Sequence, residues 1–297
     1  MAPSDTFYTH PPEWGWIIVV YFFLGGLAGG AAFLAAMLDL FGVDRDRPMA
    51  RLGYLIAFPA IVLGGPLLIV DLNRPERFWH QFIQSETFRP MLKYWSPISI
   101  GSWIVLVFSL FVTLAFAGVF AERGILPALF RRLREGALGR IISALTGLFG
   151  LAVAGYTGVL LSASNRPVWG DSTLLGLLFL LSGISAGAAA MILLGWRRAN
   201  ASSLHWLGDM DAYSSLLELA VLVLMALSLG SVAREVWGNG WGVLLAVGVG
   251  LVGIILPLVL HWRPRLLGQL SVPSAAVLVL VGAFLLRTVM VLSSEVI

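Results

Sequence analysis

Eight stretches of this chain run for about twenty residues or more almost without charge: 14–38, 52–72, 97–120, 140–163, 172–194, 212–232, 240–260 and 272–293. A helix needs about 20 apolar residues to cross a hydrocarbon core about 30 Å thick. Lipid offers no partner to a bare backbone group, so only helices and closed barrels cross it. Barrel strands are short and alternate in polarity, whereas these runs are long and continuous. Charged residues make up 12% of the chain, against about 25% in a soluble domain. The sequence therefore predicts an all-α integral membrane protein of eight transmembrane helices, embedded in a lipid bilayer.

The loops set an orientation. On the N-terminal side, side A, lie six basic residues: Arg74, Arg77, Arg89, Lys93, Arg166 and Arg234. Side B carries twelve, in the clusters Arg45–Arg51, Arg123–Arg140, Arg197–Arg198 and Arg263–Arg265. Basic loops stay in the cytoplasm, which predicts a multi-pass protein of the cell's inner (cytoplasmic) membrane with both termini outside. The first Arg or Lys is Arg45, so a basic signal-peptide head is missing and the first run stays as a membrane helix. All tryptophans but Trp103 fall at or near the ends of the spans, where an aromatic belt belongs.

Two segments are alike: GGLAGGAA at 25–32 and SGISAGAA at 182–189. They lie in spans 1 and 5, which run in the same direction. This suggests one membrane domain over 1–297 made of two four-helix bundles. Spans 1–3 (14–120) with span 4 at 140–163 form the first, and 172–293 the second. The small residues allow close helix packing. GGLAGG lies inside a helical run with no strand before it, so it is no nucleotide loop.

Cysteine is absent, which excludes thiolate metal sites and cysteine-bound iron–sulfur clusters from this chain. No long basic run points to nucleic acid. The four histidines, His10, His80, His205 and His261, lie in loops or at span ends, which speaks against a bis-histidine haem. Ionisable groups at membrane depth are costly and mark function. Four stand out: Asp39 ending span 1 and Asp71 ending span 2, Glu218 about two turns into span 6 from side B, and Arg287 about two turns from the side A end of span 8. Asp71 at the depth of Arg287 would neutralise it. Asp39 and Glu218 would suit a proton path from side B. Tyr21 and Tyr156 lie about two turns inside from side A, near Asp71, Asn165, Arg166 and Arg287.

Asp71 opens DLNRPERFW, a polar knot closing an apolar helix. That segment, with FFLGGLAGG, SPISIGSW, YTGVLLSASNRPVW, LLFLLSGISAG and GAFLLRTVMVLS, resembles the NrfD/PsrC family, the membrane subunits of polysulfide-reductase-like complexes. The resemblance implies an eight-helix, haem-free subunit that binds a quinone, menaquinone or ubiquinone. It implies docking on a ferredoxin-like iron–sulfur subunit, which connects to a molybdopterin catalytic subunit. Tyr156 stands where the family has its pocket tyrosine, and Asp71 at the acidic position closing span 2. Tyr21 departs from the polysulfide reductases, which have a histidine there and an asparagine where this chain has Ile18, so polysulfide is not implied as substrate.

A quinone ring needs an apolar slot and one or two donors to its carbonyls. Tyr21, Asp71, Tyr156, Asn165 and Arg287 are the candidates for holding it, with Asp71 and Tyr156 handling protons. Arg74, Arg77 and Trp79 are candidates for docking the partner. The rival readings are a proton or ion transporter and a passive membrane anchor.

Overall fold

A computed structural model describes residues 14–72 and 74–295; His10 and Asn73 lie outside the described residues. Among the described residues, eight helices are long and apolar enough to cross a membrane. Five of them are α1 (Trp16–Phe41), α2 (Arg47–Val70), α3 (Pro97–Glu122), α4 (Gly136–Ser162) and α5 (Leu175–Gly195). After α6 (Ala201–Leu229) and the short α7 (Ser231–Trp237) comes the seventh span, Gly240–Trp262. It runs as α8 (Gly240–Val243), a π-helical stretch Leu244–Ile255 and α9 (Leu256–Trp262), and α10 (Ser271–Leu292) is the last.

Helices α2, α4 and α6 start earlier than the hydropathy predicts, at 47, 136 and 201 rather than 52, 140 and 212. Helix α2 begins at Arg47, with Pro48 in its first turn, where a proline costs no hydrogen bond. Helix α6 begins at Ala201 rather than 212. Asn200 caps it, its side-chain oxygen accepting from Ser203 N at 2.9 Å. The same asparagine donates to the Arg45 carbonyl at 2.7 Å, and Ser203 Oγ donates to Asp46 at 2.6 Å. The side B loop between α1 and α2 thus fixes the polar first turn of α6.

The segments GGLAGGAA and SGISAGAA pack against each other. A Cβ on Gly30 would land on the Gly183 carbonyl and lie 3.0 Å from Ile184 Cα; one on Gly183 would come within 3.0 Å of the Gly26 carbonyl. Only glycine lets these backbones touch. The packing runs across the two expected four-helix halves. Helices α1 and α5 form the centre, and α4 and α10 each touch both of them. Helices α2 and α4 flank α1 and α6 flanks α5, while α3 packs on α2 and α4. Leu106, Leu110, Leu148, Leu217, Leu224 and Leu227 face outward, as lipid-facing side chains should.

On side B, α1 to α4 are tied by a polar network. Arg134 lies 2.9 Å from the Asp39 carboxylate and 3.1 Å from Glu122, and Arg51 reaches Glu122 at 2.6 Å. Ser143 Oγ donates to Asp39 at 3.2 Å, and Arg134 lies over the Tyr54 ring at 5.1 Å. Burial opposes the Arg134 charge, but Asp39, Tyr54 and Glu122 outweigh it and hold its pKa above the usual value.

Candidate functional site

Two phenols lie near one another in the side A half. Tyr21 sits five residues into α1, fully buried, with the edge of its ring against Gly64 of α2. Its hydroxyl has no hydrogen-bond partner among the described residues. Tyr156 of α4 is close enough to act on it electrostatically and is 9% exposed. The Tyr156 ring lies flush on Gly101 of α3. That glycine sits in the second turn of a helix started by Ser96, whose Oγ accepts from Ser99 N, and by Pro97. A side chain at Gly101 would displace the phenol.

On the outer face of the α2–α3 seam lies an apolar cleft of about 300 Å³, lined by Leu68, Ile69, Leu72, Phe82, Val105 and Leu106 among others. Gly65 opens it: a Cβ there would meet nothing within 4 Å. Gln81 and Ser102 add polar groups to the lining. The tyrosines and the cleft flank the same pair of helices.

Asp71 is the C-cap of α2, half-buried. Helix C-termini disfavour carboxylates, so Asp71 does not stabilise its own helix. Burial raises its pKa above the usual carboxylate value. Next to it Leu72 lines both the apolar cleft and a shallow hollow with Arg74, Arg77, His80 and Gln81. Arg74 and Arg77 are exposed, and Trp79 is packed on His80 and parallel to Phe88. Phe88, Tyr94 and Trp95 in the same loop are 74%, 75% and 68% exposed. Trp103, expected well inside its span, lies in the second turn of α3 and donates to the Met91 carbonyl at 3.0 Å.

The expected pairing of Asp71 with Arg287 does not form. Arg287 is fully buried and turned inward between α5, α6 and α10. Its Nη1 donates to Ser182 Oγ at 2.6 Å and the Ala283 carbonyl at 2.8 Å, and its Nη2 to the Phe179 carbonyl at 3.3 Å. Its guanidinium lies 5.1 Å from the Phe179 ring centroid, and the charge it faces is Glu218. Equal depth in the membrane does not make two residues neighbours. Asn165 is exposed in the loop after α4, outside the tyrosine pair, because α4 ends at Ser162 and the loop folds over the end of α10. There Arg166 Nη1 reaches the Ser294 carbonyl at 3.3 Å and Trp169 Nε1 the Met290 carbonyl at 2.6 Å.

Glu218 is deeper than expected, because α6 starts eleven residues earlier. At 1.5 Å per residue it lies about 25 Å from Ala201. It interacts with Ser182, Arg287 and Asp211. Asp211, Ser182, Ser185 and Ser215 were not among the expected site residues. Their signal is spacing: 211, 215 and 218 share one face of α6, and 182 and 185 one face of α5. Asp39 belongs to the Arg134 network instead, and the structure does not connect it to Glu218. His205 and His261 meet across Asp209, at 2.9 and 3.8 Å, near side B.

Comparison with known proteins agrees with this architecture. The family described as Polysulphide reductase, NrfD, matches residues 5–297. Protein NrfD of Escherichia coli is 28% identical, over 97% of this chain and 96% of its own length. One chain of the polysulfide reductase of Wolinella succinogenes is 29% identical, over 84% of the present sequence and 82% of its own. A subunit of the selenate reductase of Mesobacillus selenatarsenatis is 27% identical, over 65% of the present sequence and 51% of its own. With eight membrane-length helices and a family match over nearly its whole length, this chain belongs to the NrfD (polysulphide reductase) family.

Proposed function

We propose that this chain is the quinone-binding membrane subunit of a multi-subunit oxidoreductase, exchanging electrons between the quinone pool and an iron–sulfur subunit docked on side A. The observation that carries this reading is the buried Tyr21 hydroxyl near Tyr156, which has no hydrogen-bond partner among the described residues. An unsatisfied buried donor is expensive, and a ligand carbonyl would satisfy it. Two of the similar proteins are each one part of a reductase, which supports a partner that carries the substrate chemistry. A molybdopterin catalytic subunit and the cytoplasmic membrane follow from the family resemblance.

The residues fit the group. Tyr21 and Tyr156 offer two donors for ring carbonyls, and the α2–α3 cleft of about 300 Å³ offers apolar surface open toward lipid. This matches the usual make-up of a small-molecule site, mostly apolar with a few polar groups that orient the ligand. A bound quinol supplies two electrons and two protons. Tyr156 orients by donating a hydrogen bond, and Gly101 holds that phenol in place. Asp71, whose raised pKa favours the protonated form, accepts and releases a proton at the side A surface. Arg74 and Arg77 present positive charge to a docked partner, and Phe88, Tyr94 and Trp95 present apolar area.

Binding of a quinone analogue to the assembled complex tests the reading. Tyr156→Phe keeps the ring and removes one donor. A lost hydrogen bond costs about 0.5–1.5 kcal/mol, so affinity should fall several-fold. Wild-type affinity in both Tyr156→Phe and Tyr21→Phe overturns the assignment.

A further inference from the structure

A cleft of about 390 Å³ opens at the side B ends of α5, α6, α9 and α10. Its lining includes His205, His261, Ser271 and Asp211. His205 Nδ1 lies 2.9 Å from the Asp209 carboxylate, so two imidazoles and a carboxylate stand at its mouth. Asp211 is partly accessible in the cleft wall. From it a line of polar groups runs inward between α5 and α6. Ser185 Oγ donates to Asp211 Oδ1 at 2.6 Å and lies 3.1 Å from Ser215 Oγ. One turn further, Glu218 bonds with Ser182, which also accepts from Arg287 at 2.6 Å. Arg287 Nη2 would lie 2.7 Å from a Cβ on Gly26 of α1, the helix that carries Tyr21 five residues closer to side A.

The charge count makes this line more than a packing device. Of the two carboxylates, Glu218 faces the guanidinium of Arg287, whereas Asp211 meets the hydroxyl of Ser185 beside Ser215. Arg287 therefore balances Glu218, and Asp211, set in the cleft wall against hydroxyls, is free to take up and give back a proton. Hydroxyls relay such a proton because each both donates and accepts, and Ser185 and Ser215 stand between the two carboxylates. The other charges packed around the route are His205, Asp209 and His261 at the mouth; α10 contributes Arg287.

We propose that Asp211, Ser185, Ser215 and Glu218 form a proton-conducting route from the side B cleft to the Glu218–Arg287 pair at the centre of the membrane. It is a second site, separate from the tyrosine pair. That its protons serve quinone chemistry rests on the function proposed above; the conduction itself does not.

Two measurements separate these claims. In the complex held in oriented vesicles, a pH jump on side B is followed by infrared spectroscopy of the carboxyl band that Glu218→Gln removes. In Asp211→Asn the response of that band should slow at least tenfold, and Asp211→Glu should restore it. Ser215→Ala should slow it several-fold. An unchanged response in Asp211→Asn, or a band that follows a jump on side A faster than one on side B, overturns the route. The second measurement is proton uptake from side B during quinol-linked turnover. It should drop in Asp211→Asn while quinone-analogue binding stays as in wild type. Uptake at the wild-type rate with intact binding also overturns the route. A loss of analogue binding in the unmodified complex overturns the quinone reading alone. Since Glu218→Gln leaves Arg287 buried and unpaired, Glu218→Asp is the companion variant: it keeps the charge, and its carboxyl band should still respond from side B.

Discussion

The phenol of Tyr156 fills the space that a side chain at Gly101 would need. This contact across α3 and α4 sets where the candidate donor points, and it makes a glycine part of the site. Gly101→Ala leaves every polar group in place and only adds a methyl. Overpacking of this kind costs about 1–3 kcal/mol, here by pushing the ring off its position. Affinity for a quinone analogue should fall at least as far as in Tyr156→Phe, with circular dichroism unchanged.

Tyr21→Phe separates stability from binding. The Tyr21 hydroxyl is buried without a partner among the described residues, and such a group costs about 1–3 kcal/mol. Its removal should raise the thermal midpoint of the ligand-free protein. The stabilisation gained on adding a quinone analogue should shrink, because a donor has been lost. Thermal unfolding with and without the analogue checks both signs; a variant less stable without ligand refutes the first.

Asp71→Asn should behave unlike a broken buried ion pair. Asp71 makes no contact with Arg287, so the variant strands no buried charge. Its folded pKa is raised by burial. For a carboxyl this contribution favours the folded state below the unfolded pKa, about 3.9, and is lost as pH rises through the folded value. At neutral pH the asparagine variant should be at least as stable as wild type, and the advantage should disappear on acidification into the carboxylate range. Turnover should fall nonetheless if Asp71 passes protons. Thermal midpoints measured across pH, with turnover beside them, test this.

Asp39 and Arg134 predict the opposite pattern. Their side chains are 13% and 4% exposed and joined at 2.9 Å. Removing one partner of a buried pair costs about 3–5 kcal/mol. Asp39→Asn and Arg134→Met should lower stability sharply while turnover per folded complex stays at wild-type level. A stable Asp39→Asn protein with slowed turnover would return Asp39 to a proton path.

The twelve-to-six loop charge bias predicts that both termini face away from the cytoplasm. A C-terminal fusion to a reporter active only outside the cytoplasm should be active, and activity of a cytoplasmic reporter there would reverse the orientation.

The eight spans were legible because twenty apolar residues have few alternatives in water or lipid. What hydropathy could not give was the rotation of each helix about its axis. It gave height, and on height alone Asp71 and Arg287 looked like a pair; the azimuth puts Arg287 against Ser182 and Glu218. The stretch HWLGDMD at 205–211 reads as loop because of its two acids, yet Asn200 caps a helix ahead of it, and Asp211 turns into the α5–α6 interface. The π-helical stretch Leu244–Ile255 is apolar nearly all round, so its periodicity carries no signal of the wider turn. Tyr21 and Tyr156 stand out as candidates because a phenol in a hydrocarbon span is conspicuous, whereas Gly101 looks like any other small residue in a membrane helix.

The backbone contact of α1 with α5 has a consequence for how the chain is made. Its two halves, residues 25–32 and 182–189, leave the ribosome far apart in time, with three spans threaded into the bilayer between them. The centre of the molecule is therefore a late seam: α4 covers Gly25 and Gly29, but until α5 arrives the edge formed by Gly26 and Gly30 lies bare to lipid or to whatever helix is nearest. A polypeptide halted after α4 carries that edge uncovered, ready to be closed by a separately synthesised second half.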